Sequence, residues 1–192
     1  MIQLVFATNN THKLEEVRAV VGDKFRILTL ADIGCMDDIP ETGDTLEANA
    51  SQKSAYLLEN YGYDCFADDS GLEVTALGNE PGVYSARYSG SRDMEKNMEL
   101  LLRRLGDHPD RSARFRTVIS LRIGGEEHFF EGTVEGDIGY ERQGMGGFGY
   151  DPLFTPRGYD QTFAQMSSAA KNAVSHRSVA VAKLADFLKE NY

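Results

Sequence analysis

The residues Ala67-Asp68-Asp69-Ser70-Gly71-Leu72-Glu73-Val74 set two adjacent carboxylates at the end of an apolar run, Cys65-Phe66-Ala67. Carboxylates held at the rim of a sheet can meet a hard cation through oxygen ligands. The same residues also make good turn chemistry, because Asp and Ser bond their own backbone and Gly tolerates positive φ. The pattern predicts strand, tight turn, strand. Four other groups carry chemistry. Thr8, Asn10 and Lys13 offer a hydroxyl, an amide and an ammonium within six residues, suited to a phosphate or to a helix cap with a surface lysine. Glu41 sits in an acidic stretch, and Lys53 follows with either a solvated or a ligand-facing role. Phe148 stands among glycines, as a stacking platform or as a core ring. Lys171 with Ser175-His176-Arg177 gathers cationic groups in an acidic chain, for an anion or purine, or for a capped helix with exposed charges.

The elements that must hold these groups alternate. Residues 2–7 are apolar and suit a buried strand, broken by Thr8-Asn9-Asn10-Thr11. Helical spacing follows over 12–21, with Leu14, Val17, Val20 and Val21 apolar. The polar loop thus leads into a helix N-terminus, where unpaired N–H groups favour an anion. A short strand is expected at 25–30 and an irregular loop at 32–43. A helix is expected from Thr45 to about Tyr61, with Asp44 as N-cap and Glu47 completing a capping box. An amphipathic helix runs over 93–105, its Met94, Met98, Leu101, Leu102 and Leu105 stripe reading as core rather than cofactor contact. Alternation from Ala113 to Ile123, then Gly124-Gly125, predicts a hairpin into 126–134. A glycine-rich segment covers 132–150, and a closing helix is expected at 172–190. Leu4, Val5, Met98, Leu101, Ile119 and Leu184 should be core.

Length and composition bound the possibilities. With 192 residues, 41% hydrophobic and 26% charged, one domain spanning 1–192 is expected. A net charge of −10 opposes a nucleic-acid duplex as partner, although a local cation cluster can still take a small anion. No apolar run is long enough to span a bilayer, and the N-terminus reads as a strand rather than a signal peptide. Cys35 and Cys65 lack metal-type spacing and read as plain thiols, pointing to a reducing, cytoplasmic setting. Gly144-Met145-Gly146-Gly147-Phe148-Gly149 matches the dinucleotide fingerprint in letters only, since Tyr150-Asp151-Pro152 follows where that fingerprint needs a helix. P-loop, zinc and nucleophile-elbow patterns are absent.

Taken in order, the motifs resemble the inosine triphosphate pyrophosphatase family. The likeness rests on Thr8-Asn9-Asn10 with Lys13, Glu41-Thr42-Gly43, Lys53, Ala67-Asp68-Asp69-Ser70-Gly71-Leu72 and Pro81 to Tyr88. Gly146 to Pro152 and Lys171 with Ser175-His176-Arg177 complete it. It spans nearly the whole chain, and the segment 155–170 holds no matching motif. The resemblance implies an α/β fold: an elongated, mixed, twisted sheet flanked by helices, in two lobes with a central cleft. It implies a homodimer and Mg²⁺-dependent hydrolysis of non-canonical purine nucleoside triphosphates (ITP, dITP, XTP) to monophosphate and pyrophosphate. Carried over by position, Asp69 is the general base and a metal ligand, Glu41 the second ligand, and Asp68 a helper to either. Thr8, Asn9, Asn10, Lys13, Lys53 and Ser70 would cradle the triphosphate. Phe148, Gly149, Tyr150, Asp151, Lys171, His176 and Arg177 would contact the nucleotide and base. Neither nucleic acid nor membrane is implied as a partner. Two rivals stand beside this reading: a different Mg²⁺-dependent phosphohydrolase, and a nucleotide sensor without turnover. A sensor has no need of Glu41 together with the Asp68-Asp69 pair.

Overall fold

The structure, a computed structural model, describes residues 1–192, the side chain of His12 excepted. Its strands in chain order are β1 (Ile2–Phe6), β2 (Phe25–Leu28), β3 (Cys65–Val74), β4 (Glu80–Pro81), β5 (Ser112–Ile123), β6 (Glu126–Ile138) and β7 (Phe154–Pro156). Its helices are α1 (Thr11–Val21), α2 (Leu46–Tyr61), α3 (Met94–Leu105), α4 (Ser168–Val174) and α5 (His176–Asn191). The strands form one seven-stranded sheet in the order β2-β1-β3-β5-β6-β7, with β4 paired to β3. The sheet is mixed: β1 runs parallel to β2 and β3, while β3–β4 and β6–β7 are antiparallel. A mixed sheet flanked by helices is the fold class expected from the sequence.

The chain divides into two compact units, the first made of Met1–Asp69, Thr117–Gly132 and Ser178–Tyr192, the second of Ser70–Arg116 and Thr133–Arg177. In the first unit the sheet carries a core on each face. Leu4, Phe6, Phe66, Ile119 and Leu121 pack with Leu14, Val17, Leu184 and Leu188. Val5, Cys65 and Ala67 pack with Leu28 and Leu57. The second unit is built around Leu72, Val74, Met98, Leu101, Phe115, Leu153, Phe154 and Phe163. All six residues expected to be core are at most 3% exposed. Cys35 and Cys65 are both buried free thiols.

Five expectations need correction. Met94, read with the α3 stripe as core, is 50% exposed, because it stands at the first position of the helix. The Asp68-Asp69-Ser70-Gly71 stretch is not a turn: β3 runs unbroken from Cys65 to Val74. Leu72 and Val74 are fully buried and pin the strand through this region. Gly71 is needed for close approach, because a Cβ there would stand 2.3 Å from the Gly82 carbonyl oxygen. Thr45, not Asp44, caps α2; its hydroxyl accepts the Ala48 N–H at 3.0 Å, while Leu46, next in line, is already buried. The closing helix is two helices, because Ser175 is extended (φ −69°, ψ 153°) between α4 and α5. Finally, β6 runs on past 134 to Ile138, where it pairs with β7. No helix is long and apolar enough to cross a membrane among the described residues.

Candidate active site

In the first unit, β3 delivers the adjacent carboxylates Asp68 and Asp69. Asp68 is 3% exposed, and its Oδ2 accepts from Lys13 Nζ at 2.7 Å. Lys13 comes from α1, whose N-terminus is organised locally. Thr8 Oγ1 accepts the Asn10 N–H at 3.1 Å, and Asn10 Oδ1 accepts the Lys13 N–H at 3.3 Å. Thr8 and Asn10 are thus capping groups in this state, and Asn9 is exposed.

The other wall is α2. Lys53 is 8% exposed, so it is not a solvated lysine. Its Nζ donates to Glu41 Oε1 at 2.5 Å and to the Asp68 carbonyl at 2.5 Å. Burial alone would lower its pKa, but the charges of Asp68, Glu41 and Asp69 outweigh burial and raise it. Asp69 is partly buried and accepts from Asn49 Nδ2 at 2.9 Å. Burial pushes its carboxyl up to about 6; Lys53 and the Asn49 bond pull down, while Glu41 and Asp68 push further up. Glu41 and Asp68 meet lysine ammonium groups, and Asp69 meets an amide. This donor set is all carboxylate oxygen, which suits a hard cation such as Mg²⁺. Among the described residues no three acidic, His or Cys ligands are gathered closely enough to hold a metal as they stand.

In the second unit the glycine loop 144–149 presents Phe148, 53% exposed and so not a core ring. Asp151, 4% exposed, anchors it: Oδ2 accepts the Phe148 N–H at 3.1 Å and Lys171 Nζ at 2.5 Å. Lys171 Nζ lies 4.7 Å from the Phe148 ring centroid and Arg177 Cζ 5.9 Å. His176 stacks on Phe115, with centroids 5.0 Å apart and planes at 14°. His176 and Arg177 are 7% and 9% exposed, which overturns the alternative of solvated charges behind a helix cap. Gly149 N–H donates to Met94 Sδ at 3.0 Å. Tyr150 is buried, its hydroxyl committed to the Ser85 carbonyl at 2.7 Å. Ser70 is partly buried on β3.

Asn49, Gln52 and Ser85 make contacts beyond the site residues that the sequence singles out. For Asn49 a signal existed, since it lies four residues before Lys53 and so on the same helical face. Ser85 gave none; its hydroxyl accepts the Leu72 N–H at 2.9 Å across 13 residues of sequence.

The Ham1 family model matches residues 4–187. A dITP/XTP pyrophosphatase of Porphyromonas gingivalis is 52% identical over 190 residues, covering 98% of each chain. One from Flavobacterium johnsoniae is 48% identical, covering 97% of this chain and 98% of that protein. The solved structure of the Staphylococcus aureus Ham1 protein superposes with a TM-score of 0.93 at 40% identity, covering 99% of this chain and 100% of that one.

Proposed function

The chain belongs to the Ham1 family, and from that premise we propose that it is a nucleoside triphosphate pyrophosphatase acting on non-canonical purine nucleotides. It would split dITP, XTP and ITP between the α and β phosphates, releasing the monophosphate and pyrophosphate. Relatives named dITP/XTP pyrophosphatase support the reading. The observation that carries it is the buried Lys53 ammonium bonding Glu41 and the Asp68 carbonyl, with Lys13 on the Asp68 carboxylate and Asn49 on Asp69.

A triphosphate brings about four negative charges, and its cleavage moves charge onto the leaving pyrophosphate. Lys13 and Lys53 supply cations that can follow that charge, and the α1 N-terminus with Thr8, Asn9, Asn10 and Ser70 supplies further donors. Glu41 and Asp69, with Asp68 beside them, would hold Mg²⁺. When bound, the ion neutralises phosphate charge and lowers the pKa of water. Asp69 is the proposed general base. A carboxylate with pKa about 6 is ionised at neutral pH yet basic enough to take a proton from water. The Asn49 amide holds one of its oxygens.

Phe148 offers a face on which a purine can stack, with Gly149, Tyr150, Asp151 and Lys171 framing the nucleotide. His176 and Arg177 are the proposed readers of the 6-oxo group. Their donors match a carbonyl, whereas the amino group of adenine would leave buried donors unpaired at about 1–3 kcal/mol. A homodimer in the cytoplasm completes the proposal, on the strength of the resemblance.

The test is pyrophosphate release from ITP, XTP, dITP, ATP, GTP and dUTP, with Mg²⁺ and with chelator, by wild type and Asp69→Asn. Strong Mg²⁺-dependent release from the first three, weak release from the rest, and near-total loss in the variant are expected. Orthophosphate as product would indicate another phosphohydrolase, and tight ITP binding without turnover would indicate a sensor.

A further inference from the structure

Three side chains on one face of α2 hold the loop that carries Glu41, and they do so in register. Lys53 Nζ meets Glu41 Oε1 at 2.5 Å. Gln52 meets Thr42 twice: its Oε1 accepts the Thr42 N–H at 2.8 Å, and its Nε2 donates to Thr42 Oγ1 at 2.9 Å. Asn49 Oδ1 accepts the Gly43 N–H at 2.7 Å. Positions 49, 52 and 53 are neighbours on a helix surface, so a three-residue stretch of loop lies along one turn of α2. The packing is close: a Cβ on Gly43 would come within 2.7 Å of Ala48 Cβ and 2.9 Å of Asn49 Oδ1.

Asn49 has a second bond, which reaches the proposed catalytic carboxylate directly. Its Nδ2 donates to Asp69 Oδ2 at 2.9 Å. The residue is 2% exposed. Its amide orientation is fixed by chemistry, because Gly43 offers only a donor and the ionised Asp69 only acceptors. One planar group therefore ties β3, which bears Asp69, to the loop bearing Glu41.

We infer that Asn49 is a positioning residue: its amide sets the orientation of the Asp69 carboxylate and the place of the Glu41 loop in one step. The inference rests on the proposed function for its link to turnover. It also stands on geometry for its effect on a metal ion, since partners of ligating carboxylates orient the ligands. Alanine at 49 removes the Asp69 bond and the Gly43 bond together, and aspartate at 49 keeps the Gly43 bond but turns an acceptor toward Asp69.

The experiment compares full-length wild type, Asn49→Ala, Asn49→Asp and Asn97→Ala. Asn97 is a matched structural control. It is 3% exposed on α3, accepts the Ser89 N–H at 2.8 Å and donates to the Ala86 carbonyl at 3.2 Å. Free Mn²⁺ is counted by electron paramagnetic resonance without nucleotide. Metal-free Tm is measured, and kcat and KM are determined for dITP at saturating Mg²⁺. Asn49→Ala is expected to weaken Mn²⁺ binding about 10- to 100-fold and to lower kcat by a similar factor, with KM moved less. Asn97→Ala should lower Tm while keeping the wild-type Mn²⁺ affinity. Should Asn49→Ala fail to fold, Asn49→Asp decides through a kcat loss of at least about tenfold. Lower Tm with unchanged Mn²⁺ affinity and kcat, or wild-type kcat in Asn49→Asp, would overturn the inference. Wild type that binds Mn²⁺ without releasing pyrophosphate would remove the functional reading and leave the Mn²⁺ comparison to judge Asn49. Wild type that does neither removes both.

Discussion

Lys53 and Asp69 are placed against their own solvation, and each is explained by the other. A buried ammonium is tolerable because Glu41 and the Asp68 carbonyl bond it and Asp69 adds charge. It also competes with any cation that those carboxylates could hold. Lys53→Met should therefore split two properties that usually fall together. Mn²⁺ affinity without nucleotide should rise at least about threefold, because a unit charge at close range outweighs the lost packing. Turnover should fall by about two orders of magnitude, because the cation proposed to meet the leaving phosphates is gone. Titration of metal by the variant, set beside steady-state rates, checks both. Metal affinity that drops with activity would make Lys53 a scaffold and nothing more. Asp69 adds a pH signature. Its folded pKa of about 6 lies above the unfolded value of 3.8, so the native state holds the proton more tightly. Stability of the metal-free protein is thus lost as pH rises from about 4 to 6 and stays reduced above that. Asp69→Asn removes the loss and should stabilise metal-free protein by about 1–3 kcal/mol at pH 8 relative to wild type, and by little at pH 4. Chemical denaturation at the two pH values is the check. From sequence, Lys53 reads as solvated because its partner Glu41 lies 12 residues away in a loop with no period to place it.

At the scale of elements, helix positions were legible because apolar periodicity declares them. α3 keeps its expected extent, with Asp93 as the N-cap accepting the Glu95 and Lys96 N–H groups. The hairpin between β5 and β6 turns at Gly124 and Gly125, both at positive φ, as paired glycines suggest. What misled was Asp-Asp-Ser-Gly, whose local turn chemistry yields to the tertiary contacts of β3. The strand contains a glycine because another backbone approaches it, and no local pattern announces that. Gly71→Ala is accordingly expected to destabilise by about 1–3 kcal/mol, since backbone rather than a flexible side chain meets the new methyl. The loss should register in thermal unfolding. An unchanged Tm would mean that the Gly82 carbonyl moves aside freely. Ser85 shares this junction, accepting the Leu72 N–H and donating to the Gly82 carbonyl at 2.6 Å. The division of the last helix was similarly hidden. Its apolar spacing continues across Ser175, and only the extended backbone there separates Lys171 on α4 from His176 and Arg177 on α5.

For the whole molecule, charge is distributed against the average. The chain carries −10, yet Lys13 and Lys53 are proposed for the triphosphate, and Lys171 and Arg177 for the nucleotide and its base. The three lysines are matched locally: Lys13 by Asp68, Lys53 by Glu41, and Lys171 by Asp151. Their charge is therefore not displayed as a field that would gather any phosphate backbone. A compact anion bringing its own Mg²⁺ can exchange partners with these pairs one by one. A net charge of −10 opposes a duplex, which binds by releasing counterions to a basic face. Duplex DNA on the order of 10 µM in base pairs should thus leave dITP turnover unchanged at about 50 mM salt, where electrostatic competition is strongest. Inorganic tripolyphosphate with Mg²⁺, which shares the triphosphate chemistry without a base, should compete. DNA inhibition that weakens as salt rises would show that the local cations act as an open patch after all. Inhibition by tripolyphosphate alone would place recognition in the paired lysines, where excess negative charge elsewhere serves to exclude the larger polymer.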